Sequence, residues 1–138
     1  MEVPGSAAAQ LVEQFAERVA RRDVPSPPDP NRFEAPQVLD RLAWRLQPLS
    51  RYSRLRSTLA RICYAFVAEP ERSAAALSAA AGVGREAISN AVGILQRGGL
   101  LQYQYRNRRR QYRLTRFGED WLLAIAQDTE PPALPAAS

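Results

Sequence analysis

The sequence predicts a mainly α-helical fold with one small β-hairpin, and three observations carry that prediction. Apolar residues recur at three- and four-residue spacing through most of the chain. Two short stretches, residues 101 to 105 and 112 to 115, switch to alternation across a polar gap. Prolines and glycine-containing turns divide the rest into segments about one helix long. At 138 residues there is room for one ordinary core and a short appendage.

The first segment, residues 6 to 22, places Ala8, Leu11, Val12, Phe15 and Val19 on one stripe, opposite Glu13, Glu17, Arg18 and Arg21. This reads as an amphipathic helix within a unit spanning 1 to 24. Its polar face mixes signs, so a partner helix or the domain surface suits its apolar stripe better than a membrane. Prolines 25, 27, 28 and 30 break the helix and make residues 25 to 30 an extended linker. An additional helix is expected within 31 to 49, with Pro36 in its first turn, Val38, Leu39, Leu42 and Leu46 on one face, and Pro48 beyond its end.

Residues 50 to 127 read as the main domain. Ser50 is the expected N-cap of a long helix carrying Tyr52, Leu55, Leu59, Ile62 and Phe66 at helical spacing. Ser73 then caps a short helix holding Leu77 and Ala80, Gly82-Val83-Gly84 turns the chain, and a further helix begins near Arg85. That second helix has Ile88, Ala91, Val92 and Leu95 on its apolar face and stops at Gly98-Gly99. Leu101, Tyr103 and Tyr105, then Tyr112 and Leu114, alternate with polar residues as two strands of a hairpin. A closing helix follows Thr115, with Phe117, Trp121, Leu122 and Ile125 as its apolar positions. Residues 128 to 138 are expected to form a disordered tail.

Charge is partitioned along the chain. Residues 1 to 49 carry a net −1, residues 50 to 116 carry +10 from thirteen Arg and three acids, and residues 117 to 138 carry −4. All 19 basic residues are Arg, which in an Ala- and Pro-rich chain reads as genome composition. A basic segment between acidic ones points to a polyanionic partner, nucleic acid before an acidic membrane surface. The absence of histidine removes the commonest metal ligand and the usual general base, and the single Cys63 excludes an internal disulfide and reads as a core residue. No catalytic residues, metal site or cofactor are expected, and no convergent carboxylate pair argues for an enzyme. No stretch is long and apolar enough to cross a bilayer, and the Met1-Glu2-Val3-Pro4 start lacks a secretory pattern, so a cytoplasmic protein is expected.

The stretch Ser73 to Val83, the stretch Ile88 to Leu101 ending in Gly-Leu, and Leu114-Thr115-x-x-Gly118 resemble, in that order, the MarR-type winged helix-turn-helix transcriptional regulators, over residues 50 to 127. The resemblance implies a winged helix with an N-terminal helical extension, in a prokaryotic DNA-binding protein. It places Arg85, Glu86, Ser89 and Asn90 of the recognition helix in the major groove. Arg97, on the same outward face, completes that set. Arg106, Asn107, Arg108, Arg109 and Arg110 form the wing that reaches the backbone or minor groove. The short closing helix departs from the family where its members dimerise, so a homodimer is expected through the N-terminal helices, whose apolar stripes the small domain cannot wholly cover. No counterpart of the family's small-ligand pocket is recognisable, and the effector is left open. The leading reading is sequence-specific double-stranded DNA binding by a dimeric regulator. The alternatives are a DNA-binding accessory in replication, partition or mobile-element maintenance, and a winged-helix protein-interaction module.

Overall fold

A computed structural model describes residues 6 to 22 and 29 to 135; the first five residues, most of the proline linker and residues 136 to 138 lie outside the described residues. Among the described residues, six helices and three short strands follow one another as α1 (Ser6–Arg22), α2 (Ala35–Arg45), α3 (Ser53–Ala68), β1 (Arg72–Ser73), α4 (Ala74–Ala81), α5 (Arg85–Arg97), β2 (Leu101–Arg106), β3 (Arg109–Leu114) and α6 (Arg116–Ala126). The sheet is antiparallel in the order β1-β3-β2, with Tyr103 opposite Tyr112 and Arg72 also opposite Tyr112 from the other side. The predicted hairpin is therefore the larger part of a three-stranded sheet. The two-residue strand β1 was too short to show as alternation.

One core holds α2 to α6 together. Leu42, Leu46, Leu59, Ile62, Leu77, Leu95, Leu100, Trp121 and Ile125 are fully buried in it. Helices α2 to α6 each bury a stripe of side chains three and four apart, but two expected members are exposed: Tyr52 stands before α3 as its N-cap, and in α4 the side chain buried with Leu77 is Ala81, one turn on, and not Ala80. The structure corrects the reading of the second helix. Val38, Leu42 and Leu46 of α2 are buried in this same core, so the helix belongs to the main domain and its stripe is not free for a partner. In contrast, Leu11, Val12 and Phe15 of α1 remain exposed, with Val19 half-buried.

Side-chain caps start α4 and α6. The Ser73 Oγ accepts the Ala76 N–H at 3.1 Å and starts α4, and Gly82 ends it with φ of +69°, a left-handed conformation that costs a glycine little. The start of α3 differs from the expectation. Its N-cap is Tyr52, without a side-chain cap, and the Ser50 Oγ instead accepts the Tyr52 N–H in a turn just before it. At α6 the Thr115 Oγ1 accepts the Gly118 N–H at 2.9 Å, while the Thr115 N–H donates to the Leu100 carbonyl at 3.0 Å. A Cβ on Gly118 would lie 2.3 Å from that carbonyl oxygen, so only glycine lets α6 approach the start of β2 this closely. The Leu-Thr-x-x-Gly pattern is thus the joint between wing and closing helix.

The tail expected after residue 127 is ordered against α2 as far as residue 135. Arg45 donates to both carboxylate oxygens of Glu130 at 3.0 and 2.9 Å, Pro131 is buried, and Leu134 packs on the core. The Arg41 guanidinium donates twice to the Ile125 carbonyl, at 3.1 and 2.9 Å, where the last carbonyls of α6 carry the negative end of its dipole. Proline-rich composition suggested disorder, yet prolines cost little entropy to fix in an extended strap once two arginines and a leucine anchor it.

Candidate nucleic-acid interface

Helices α4 and α5, joined by residues 82 to 84, form the helix-turn-helix. The turn is tied from two sides. The Arg61 guanidinium of α3 donates to the Ala81 carbonyl at 3.1 Å, and the Ser78 hydroxyl donates to the Val83 carbonyl. Helix α5 buries Ile88, Ala91, Val92 and Leu95 and turns Arg85, Glu86, Ser89 and Asn90 outward. Its N-cap is Gly84, which offers no side-chain acceptor, so the first N–H groups of the helix face outward with the positive end of the dipole. Arg97 is also exposed but lies roughly 18 Å farther along the axis, at ~1.5 Å per residue. Its guanidinium runs back beside Gly93, where a Cβ would meet Nη1 at 3.3 Å. The structure therefore separates Arg97 from the four residues of the first two turns. A cleft of about 470 Å³ between α4, α5 and β3 is lined by Arg85, Ser89, Ser78 and Tyr112.

The wing is more regular than its sequence suggests. Strand β2 runs through Arg106 and β3 resumes at Arg109, leaving a two-residue turn in which Asn107 and Arg108 have φ of +52° and +65°. Positive φ at both positions is the type I′ turn whose twist matches paired strands. Asparagine tolerates this conformation, whereas arginine carries a steric cost.

All five predicted wing residues are exposed, yet they are not equivalent. The Arg106 guanidinium lies 3.1 Å from the Glu71 carboxylate. Arg110 is folded over the hairpin, with its guanidinium 4.5 Å from the Tyr103 ring centroid and its Nε donating to the Tyr105 hydroxyl at 3.3 Å. Hydrogen bonding to Tyr105 shifts the Arg110 pKa further upward, so it stays a cation. Tyr103 and Tyr105 meet edge to face at 5.6 Å. Among the described residues, the side chains of Arg108, Arg109 and Arg85 have no hydrogen bond or ion pair. Sequence reasoning missed Glu71 and the tyrosine ladder. The alternation of β2 places Tyr103 and Tyr105 on one face and could have revealed the ladder, but no local pattern ties Glu71 to a strand end more than thirty residues away.

A helix-turn-helix followed by a hairpin with unpaired guanidiniums at its tip defines the winged-helix class. Solved structures similar to this chain include two bacterial regulators. A transcriptional regulator of the MarR family from Silicibacter pomeroyi matches at 22% identity and a TM-score of 0.49, over 71% of this chain and 66% of its own length. A MarR family transcriptional regulator from Silicibacter pomeroyi DSS matches at 23% identity and a TM-score of 0.51, over 75% of this chain and 76% of its own. The second likeness shows a shared winged-helix fold. This chain spans just under two thirds of the first protein's length. No protein-family model and no curated protein matches the sequence. Among the described residues, no cluster of three or more His, Cys, Asp or Glu could hold a metal ion, and no helix is long and apolar enough to cross a membrane.

Proposed function

We propose that this chain is a dimeric, sequence-specific regulator that binds double-stranded DNA, with α5 in the major groove and the wing on the backbone or minor groove, and that it performs no chemistry of its own. The observation that carries the reading is the set of uncompensated cations, Arg85 at the start of α5 and Arg108 and Arg109 at the wing tip, within a segment of net +10. Free guanidiniums on a rigid helix and a rigid turn suit phosphate and base-edge acceptors. The regulator from Silicibacter pomeroyi DSS, which shares the fold, is described as a transcriptional regulator, which agrees with this reading. Glu86, beside Arg85, repels phosphate and discourages indiscriminate binding unless it accepts a hydrogen bond from a cytosine amine.

Selection from random double-stranded DNA tests the proposal, and a short inverted repeat is the expected product. Two groups of variants then separate the surfaces. Arg85→Ala or Asn90→Ala costs about 1 to 3 kcal/mol on the selected site and much less on random DNA. Replacing Arg108 and Arg109 by Ala weakens both and makes the slope of log affinity against log salt shallower by roughly one unit per lost phosphate contact. Enrichment of no sequence, together with normal binding by both variant groups, refutes the proposed surface and favours a protein-interaction module. The dimer is proposed to form through α1, the N-terminal helix whose apolar stripe stays exposed.

A further inference from the structure

Glu71 is the acid that meets the arginines of the wing where it joins the helix-turn-helix. Its carboxylate Oε1 accepts from Gln104 Nε2 at 3.2 Å and pairs with Arg106 Nη2 at 3.1 Å, with Arg113 Nη1 at 3.8 Å. Its side chain is only 26% exposed, against 57% for Arg106, so this pairing is less screened than an ordinary surface contact. The pairing also answers a local problem. Arg106 stands directly opposite Arg109 in the strand register, and like charges facing across a strand pair repel.

The position of Glu71 gives the contact its reach. Glu71 leads directly into Arg72 and Ser73, each of which fixes part of the helix-turn-helix. Arg72 donates twice to the Ala65 carbonyl near the end of α3, at 3.2 and 3.0 Å, and Ser73 caps α4. Arg72 and Ser73 also pair with Tyr112 and Gln111 of β3. The carboxylate therefore ties one face of the wing to the frame that carries α5.

We infer that Glu71 is an electrostatic latch that withholds Arg106 from nucleic-acid phosphate and leaves Arg108 and Arg109 as the phosphate-seeking pair of the wing. This rests on the DNA-binding reading above. Glu71 touches no DNA in this account; it is a positioning residue acting through Arg106. Its consequence is a wing with less sequence-independent affinity than its arginine count suggests, so a larger share of discrimination falls to α5.

The test is a charge-removing, nearly isosteric variant in the full chain, Glu71→Gln, combined with Arg106→Ala in a double-mutant cycle on random-sequence duplex DNA. Glu71→Gln is expected to steepen the salt slope by roughly one unit, which between 50 and 200 mM salt amounts to about 3.5-fold in affinity. Arg106→Ala alone is expected to move the slope by much less than a unit, and the double variant to return near the wild-type slope. Glu71→Asp, which keeps the charge, is expected to keep the wild-type slope. An unchanged slope in Glu71→Gln, or a full unit lost in Arg106→Ala alone, overturns the latch. NMR of the Arg106 guanidinium decides the point without DNA. Restricted rotation in the wild type that is released in Glu71→Gln supports the latch, and equal mobility in both overturns it. If the wild type binds no duplex at all, the DNA-binding reading falls and the NMR result alone settles whether the latch exists.

Discussion

Cys63 lies on α3 with none of its surface exposed, and burial pushes its thiol from an ordinary 9.0 up to about 12. A thiol held neutral in the core while the unfolded chain ionises links stability to alkaline pH. Between about 9 and 12 the native state holds a proton that the unfolded state has released, so this contribution is intact below pH 9 and is lost as pH rises. The slope is roughly 1.4 kcal/mol per pH unit. Urea unfolding of wild type and Cys63→Ala from pH 8 to 10.5 checks it, since tyrosine ionisation is common to both. Their difference is expected to shift against the wild type by that slope, and a constant difference sinks the argument. Such residue-level facts were unevenly legible in the sequence. Helical spacing beside Leu59 and Ile62 was enough to place Cys63 in the core. The fates of the arginines were not, because Arg41, Arg45 and Arg106 are claimed by the Ile125 carbonyl, Glu130 and Glu71, all distant in the chain. A count of guanidiniums gives the sign of a surface, whereas tertiary pairing decides which of them are free.

At the scale of elements, periodicity located every helix of the domain because each buries one stripe in one core, and it missed β1 and the strap after α6 because neither depends on a period. The wing turn shows what a pattern leaves undecided. Four arginines around Asn107 read as a five-residue tip, residues 106 to 110, but pairing continues to Arg106 and Arg109 and leaves a turn of Asn107 and Arg108 alone. A side chain at the left-handed Arg108 costs about 1 kcal/mol relative to glycine, part of which the greater unfolded-state entropy of glycine offsets. An arginine where glycine fits better gives up stability at the tip of the proposed DNA-binding wing. Arg108→Gly is therefore expected to raise the melting temperature by a few degrees and at the same time to weaken duplex binding, with the salt slope shallower by roughly one unit. Stability and affinity moving in opposite directions is the signature. A variant that loses stability, or that binds with an unchanged slope, removes the functional meaning of this turn.

At the scale of the whole molecule, the burial of α2 narrows the proposed dimer interface to α1. A cut removing both helices would take Val38, Leu42 and Leu46 out of the core and unfold the domain, so that cut cannot isolate the interface. Point variants can. Leu11, Val12 and Phe15 are 66%, 66% and 59% exposed on one face of a helix whose other face carries Glu13, Glu17, Arg18 and Arg21. Burying such side chains against a second copy gains ~1.5 to 3 kcal/mol for each one fully removed from water, so two copies of the stripe offer enough to offset the cost of association. Replacing Leu11 and Phe15 together by Glu leaves the core of α2 to α6 untouched and puts four like charges into the paired stripes. The expected result is a folded monomer by light scattering, with the same near-ultraviolet circular dichroism as the wild type. Affinity for an inverted repeat should fall toward that for a single half-site, because the second recognition helix is no longer delivered at ~34 to 36 Å from the first. A variant that remains dimeric, with its preference for the inverted repeat intact, shows that α1 does not hold the two copies together.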